Sequence, residues 1–276
     1  MGESVSFWQN WFVWRDAMIV SVLCAAALGY LGVWGALRKV VFVPLALSQV
    51  SSVGVVLVFL VSDLVEKRTG TPLGLDPVWG SLLFAVLASL YFAKAGRESQ
   101  EATAVAYLIS AAATLILMGF VRADLHDLSS VLFGNAVLVE TAQIAVVGAA
   151  VLFVALVHGL FYRRFLFASY DPDSAGAAGI RVFRHDALLL ATMAILISVA
   201  TRAIGALPAF GFTVLPALAS LRIGRTLGQT FFLASALAVL SAGLGYYASF
   251  ALELPTGACM TAVAALFFIA SHAVRR

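Results

Sequence analysis

Nine apolar runs follow one another along this chain, near 17–37, 41–62, 78–94, 102–121, 142–161, 186–203, 206–221, 228–251 and 256–274. Most approach the roughly 20 residues that carry a helix through hydrocarbon. A bilayer core offers no water to backbone N–H and C=O groups. Such a chain must therefore fold as helices whose hydrogen bonds close within each segment. Composition agrees, with 62% hydrophobic residues, 11% charged residues and a mean hydropathy of +1.02. The sequence predicts an all-α, polytopic integral membrane protein of eight to nine transmembrane helices. Residues 1–276 form a single transmembrane domain, since no polar stretch is long enough to hold a soluble core. A net charge of +3 is too small to argue for nucleic acid.

The placement of charge says more than its sum. Twelve of the 17 Lys and Arg fall in one set of alternate loops: Arg38, Lys39, Lys94, Arg97, Arg163, Arg164, Arg181, Arg184, Arg222, Arg225, Arg275 and Arg276. The other set holds Arg15, Lys67, Arg68, Arg122 and Arg202. Positive-inside bias puts the first set in the cytoplasm, which places the N-terminus outside and the C-terminus inside.

Three local features depart from plain spans. Phe7, Trp8, Trp11, Phe12 and Trp14 recur at helical spacing, so residues 1–15 fit either an aromatic helix at the outer interface or the start of the first span. Pro208, Gly211 and Pro216 predict a kinked helix packed inside the bundle over 205–216. Asp127 to Gly134 suits a short helix in an outer loop. Cys24 and Cys259 both fall inside apolar runs, which suggests neither a disulfide nor a metal site.

Enzymatic chemistry has no footing here. None of the three lysines lies in a phosphate-cradling loop, no nucleophile elbow or H-E-x-x-H is present, and the four histidines are scattered. The chain is not expected to be an enzyme or to carry a cofactor of its own. Inside the second span, Leu45, Ser48, Gln49 and Ser52 share one helical face, at i, i+3, i+4 and i+7. An amide in hydrocarbon needs a partner or water, so Gln49 should face the protein interior. That polar line fits the lining of a translocation path, although from the residues alone helix packing is the slightly favoured reading.

Between the fifth and sixth runs lies Tyr170-Asp-Pro-Asp-Ser-Ala-Gly-Ala-Ala-Gly-Ile180, bounded by Arg163, Arg164, Arg181 and Arg184. It has the pattern of a capped helix of about two turns, with Asp171 accepting from free N–H groups, Pro172 at the first helical position and Gly179 at the far end. The small residues between them would let another surface approach closely.

This segment resembles the F-D-P-E-x-A-x-x-x-G loop of the membrane subunits of bacterial ABC importers for zinc, manganese and iron. Asp127-Leu-Ser-Ser-Val-Leu-Phe-Gly134 is similar to that family's D-L-x-x-x-L-F-G, and Ile204-Gly-Ala-Leu with Val214-Leu-Pro-Ala217 to its V-G-A-L and L-x-P-A. Glu253-Leu-Pro-Thr-Gly257 resembles its D-x-P-x-G. The four occur in the family's order over the latter half of the chain. The resemblance implies a permease like those of type II ABC importers, working as a homodimer or a pair in the bacterial inner membrane. A separate ATPase would dock on the cytoplasmic side, and a periplasmic or lipid-anchored binding protein would deliver the solute. Asp171, Pro172, Asp173, Ala175 and Gly179 would then form the coupling helix. Asp124, His126, Asp127 and Glu253 would face the binding protein.

One motif departs from the family. Its second span carries G-D-x-x-x-H, where acid and histidine grip a passing ion; here Pro44, Leu45 and Gln49 stand in that place. Leu45 cannot ligate, and a neutral amide oxygen is a poor ligand for zinc. The resemblance thus implies a divalent metal or its chelate as cargo, while no residue set in the spans forms a metal site. The competing classes are a secondary transporter driven by an ion gradient, which lacks paired intramembrane carboxylates here, and a membrane scaffold that only holds a partner.

Overall fold

A computed structural model of the protein describes residues 11–71, 74–95, 99–121 and 141–274. Ten helices lie among them: α1 (Trp11–Leu37), α2 (Val43–Thr69), α3 (Pro77–Ala95), α4 (Ser99–Met118), α5 (Thr141–Tyr170), α6 (Pro172–Ala177), α7 (Val182–Ile204), α8 (Ala206–Ile223), α9 (Leu227–Leu252) and α10 (Thr256–Val274). All except α6 are long and apolar enough to cross a membrane, giving nine candidate spans among the described residues. The fold is the all-helical membrane bundle that the apolar runs predict, at the upper of the two counts.

Helix α7 occupies the middle. Leu189, Met193, Leu196, Ile197, Ala200 and Ile204 return every three or four residues and are buried. Around it pack α1, α2, α3, α5 and α8. One flank is built from α2, α3 and α4, the other from α1, α8, α9 and α10, and α5 closes against α7 and α1. Lipid tails are as apolar as leucine, so nothing hydrophobic drives these helices together. Close packing of small residues and occasional hydrogen bonds must do it. Most hydroxyls bond back to their own helix, as Thr213 Oγ1 donates to the Ala209 carbonyl at 2.7 Å. A few cross between helices, such as Ser198 Oγ of α7 to Ser81 Oγ of α3 at 2.9 Å.

Two glycines are required by the backbone. A Cβ on Gly32 of α1 would lie 1.7 Å from the Thr213 carbonyl oxygen of α8, so these helices touch backbone to backbone. Gly205 sits between α7 and α8 at φ 95° and ψ 160°, a region open essentially to glycine. The interruption predicted over 205–216 falls at Gly205. Helix α8 then runs unbroken from Ala206, with Pro208 in the donor-free first turn and Pro216 inside the helix.

The two ends of the bundle are distinguishable. At one end, the Gln100 amide donates to the Lys39 carbonyl at 3.3 Å, joining the α1–α2 and α3–α4 connections. The α5–α7 connection lies at the same end, where Arg38 reaches Ser169 at 2.9 Å. At the other end Arg202, in the last turn of α7, pairs with Asp76 just before α3. Burial pushes the Asp76 carboxyl up, but the Val78 N–H and the Arg202 guanidinium outweigh it and hold the group below its ordinary range. Helix α1 starts at Trp11, so Trp11 and Phe12 belong to the helix of the first span, as does Trp14, whose ring packs on Phe250 at 4.9 Å. The rest of the segment predicted over 1–15, residues 1–10, lies outside the described residues. So do Asp124, His126, Asp127 and the short helix predicted over 127–134.

The contact at Gly32 sets a test. Gly32→Ala should destabilise the bundle by about 3 kcal/mol, the upper end of overpacking costs, because the obstructing atom is backbone. Gly148→Ala on α5, where a Cβ would meet nothing within 4 Å, should leave stability within about 0.5 kcal/mol. Thermal unfolding of the two variants in detergent measures the difference.

Candidate functional site

Two places carry the polar features singled out in the sequence: the short helix between α5 and α7, and the first turns of α2. The short helix α6 is set by its own sequence. The carboxylate of Asp171 accepts from the Ser174 backbone N–H at 3.0 Å, and Pro172 occupies the first helical position. At the far end the Ala178 N–H donates to Ser174 O at 2.9 Å and the Ile180 N–H to Ala175 O at 3.0 Å. Gly179 supplies the left-handed residue, φ 81°, that such a closure requires. Hydrogen bonds from Ser174, chiefly, hold the Asp171 carboxyl below the ordinary carboxylate range.

How α6 sits is more telling than how it is capped. Ala175 is fully buried, while Asp171, Asp173, Ser174, Gly176, Ala177, Ala178 and Gly179 are exposed. Ala175 anchors the helix to the bundle, Pro172 is half-buried against the neighbouring cleft, and the other residues of α6 face outward. Beside it opens a cleft of about 710 Å³ lined by Arg38, Lys39, Phe92, Gln100, Tyr170 and Pro172, among others. The predicted helix and its five singled-out residues are thus brought together at one end of the bundle, on the side that carries the arginine-rich loops.

The polar line on α2 divides. Ser48 and Ser52 are fully buried, and their hydroxyls donate along their own helix, to Leu45 O at 2.8 Å and Ser48 O at 3.1 Å. Leu45 and Gln49 are half-buried. Among the described residues the Gln49 amide has no hydrogen-bond partner. The neighbouring Ser51 hydroxyl is buried and also unpartnered. No group of three or more His, Cys, Asp or Glu side chains gathers among the described residues. The half-buried side chains of α2 at this level are Leu45, Gln49 and Val50, of which only Gln49 is polar.

Glu253, singled out for the outer face, is exposed and has a backbone role besides. It ends α9 in the left-handed conformation, φ 55°, with its N–H on Ser249 O. The Ser249 hydroxyl then clasps the turn, donating to Leu254 O at 2.7 Å and lying 2.9 Å from Thr256 Oγ1.

Two groups escaped the sequence reading. His158 of α5 is buried in an aromatic box, 3.0 Å from Thr192 Oγ1 and 3.3 Å from the Tyr30 hydroxyl, with Trp34 and Phe165 rings edge-on. It joins α1, α5 and α7 by polar contacts. Arg38 was counted only as loop charge, yet its side chain is 10% exposed and paired with Asp186 at 2.5 Å. Neither partner is near in sequence, so spacing alone gave no signal; the aromatic pair Tyr30 and Trp34 one turn apart was the faint one.

Comparison with known proteins agrees across the whole chain. The family described as the ABC 3 transport family matches residues 11–275. The manganese import system permease protein ScaB of Streptococcus parasanguinis is 25% identical over 273 residues, covering 98% of this chain and 93% of that protein. The manganese transport system membrane protein MntC of Listeria innocua is 29% identical over 263 residues, covering 93% and 89%. Among solved structures, PsaBC from Streptococcus pneumoniae in complex with Fab shares the fold at a TM-score of 0.80 and 24% identity, over 96% of this chain and 92% of that one.

The cap predicts a pH dependence for α6. Because folding depresses the Asp171 pKa, its contribution is present above the ordinary carboxylate pKa of about 4 and is lost as pH falls through the lowered folded value. Amide hydrogen-exchange protection at Ser174 should exceed that of Asp171→Ala at neutral pH and converge with it on strong acidification. Equal protection at neutral pH would show that the carboxylate does not cap the helix.

Proposed function

Because the chain belongs to the ABC 3 transport family, we propose that it is the permease subunit of an ATP-driven importer whose cargo is manganese or another divalent metal ion. The observation that carries this reading is the stance of α6, capped at both ends, held by Ala175 and half-buried Pro172 and exposed at its other residues. The chain has no phosphate-cradling loop, so energy has to arrive from another subunit. In this reading the ATPase seats on α6 at the arginine-rich, cytoplasmic end. The N-terminus is outside, a second permease copy completes the path, and a binding protein delivers cargo where Glu253 lies. Closure of the ATPases moves α6, and with it α5 and α7, so that access alternates across the bundle.

The cargo follows from ligand chemistry. Gln49 offers an amide oxygen, and carbonyl and water oxygens suit manganese better than zinc, which prefers nitrogen and sulfur. An unpartnered amide at half-buried Gln49 is satisfied by a hydrated ion or by the facing copy of α2. Two of the relatives above are named for manganese import or transport, which supports the same choice. A mostly neutral lining binds the ion weakly, which favours passage over retention.

Cells depending on this protein test both parts. Replacing 171–179 with a glycine–serine segment of equal length should leave the protein in the membrane and reduce manganese accumulation to background. Undiminished uptake would sink the coupling role. Gln49→Leu should lower manganese uptake about tenfold, the scale of losing one hydrogen bond to a charged group. Leu45→Asp with Gln49→His should instead raise zinc accumulation, and no change in either metal would remove this face of α2 from the path.

A further inference from the structure

We propose that Arg38 is a positioning residue that straps the two helices flanking α6 to α1, so that movement of α6 is transmitted to the core of the bundle. This rests on the importer reading above and adds the element that makes the short helix mechanically effective. Arg38 follows the last residue of α1, where the chain turns sharply. Lys39 adopts φ 61° and the Val40 N–H returns to the Gly35 carbonyl at 2.9 Å. From that turn the guanidinium reaches two helices at once. Nε donates to Ser169 Oγ at 2.9 Å, in the last turn of α5, and Nη1 to Asp186 Oδ1 at 2.5 Å, near the start of α7. Ser169 is held in turn by donating to the Phe165 carbonyl at 2.5 Å.

Those two contacts bracket α6. Helix α6 lies in the segment between them, and within it only Ala175 is fully buried. The three strap residues line the cleft beside α6, and α6 itself packs chiefly on α5 and α7. A push on α6 has firm paths into the bundle through α5 and α7, and Arg38 makes these move with α1. Helix α1 is in turn locked by Gly32 against the backbone of α8 and by Gly29 against that of α9. The far end of α7 is fixed by Arg202 and Asp76.

A planar fork is needed for this geometry. A lysine has one charged nitrogen and cannot hold Asp186 and Ser169 from separate atoms in fixed directions. The side chain is nine-tenths buried and its Nη2 has no partner, so the charge relies on Asp186.

The permease assembled with its ATPase in nanodiscs gives the test, with its solute-binding protein added from outside. ATP hydrolysis is read with and without the binding protein, because coupling between the two faces is reciprocal. The wild-type complex should respond. Arg38→Lys should keep assembly and basal hydrolysis but reduce the response to the binding protein about tenfold, within the range of coupling between distant sites. Ser169→Ala, which removes one arm without a buried charge, should reduce it in the same direction and leave thermal stability unchanged. A wild-type response in both variants overturns the strap while leaving the importer reading intact. Loss of assembly and basal hydrolysis in step with stability in both variants also overturns it, since Arg38 would then be a structural staple. A wild-type chain that binds no ATPase, or a complex deaf to the binding protein, overturns the importer reading and the strap together.

Discussion

A charge carried to the edge of hydrocarbon has to be paired or returned to water, and at one end of this bundle that requirement falls on Arg38. Its guanidinium is almost wholly covered and is held by Asp186 and Ser169. An unpaired ion there would cost several kcal/mol. Three helices must therefore meet where they do: α1, which ends at the arginine, α5, which ends at Ser169, and α7, which begins beside Asp186. The short helix α6 is the loop left over when those ends are pinned.

Once the helix ends are fixed, packing decides how rigidly the rest follows. The bundle is held by backbone-to-backbone approach at glycines and by a few hydroxyl contacts between helices, such as Ser198 with Ser81, because apolar side chains gain little by leaving lipid for each other. Such contacts are short and unforgiving, so displacement of one helix is passed to its neighbour instead of being absorbed. Helix α7 lies at the centre of these contacts and is joined directly to the segment bearing α6. A permease needs this combination: an accessible handle outside the bilayer and stiff connections from it to the path. Helix α2 packs on both α7 and α8, which in the proposed importer puts its polar face within reach of that motion.

Much of this was legible in the sequence, for physical reasons. Nine runs of apolar residues correspond to nine candidate spans among the described residues because hydrocarbon permits little else, and the separate helix at 206–223 accounts for the ninth. Asp171, Pro172 and Gly179 announced α6 because capping is local chemistry, written within a few residues. The break near Gly205 was visible, although the prolines that drew attention to it turned out to lie within α8. The α2 line was less legible. A shared helical face does not say which of its members a neighbouring helix covers, and the structure buries Ser48 and Ser52 while leaving Leu45 and Gln49 partly open. Arg38 with Asp186, and His158 with Tyr30 and Thr192, were not legible at all. They are contacts between residues more than a hundred positions apart, or on helices whose rotation no periodicity fixes.

The central claim is that α6 is the surface on which an ATPase acts. A photo-crosslinking residue at Gly176, an exposed position where a side chain meets nothing within 4 Å, tests it most directly. With the chain in native membranes beside its ATPase, illumination should link the two subunits, and a membrane-impermeant reagent should reach that position only from the cytoplasmic side. Reaction of Gly176 from the outer side, or a fully assembled complex in which that position links to no ATPase, would contradict the account.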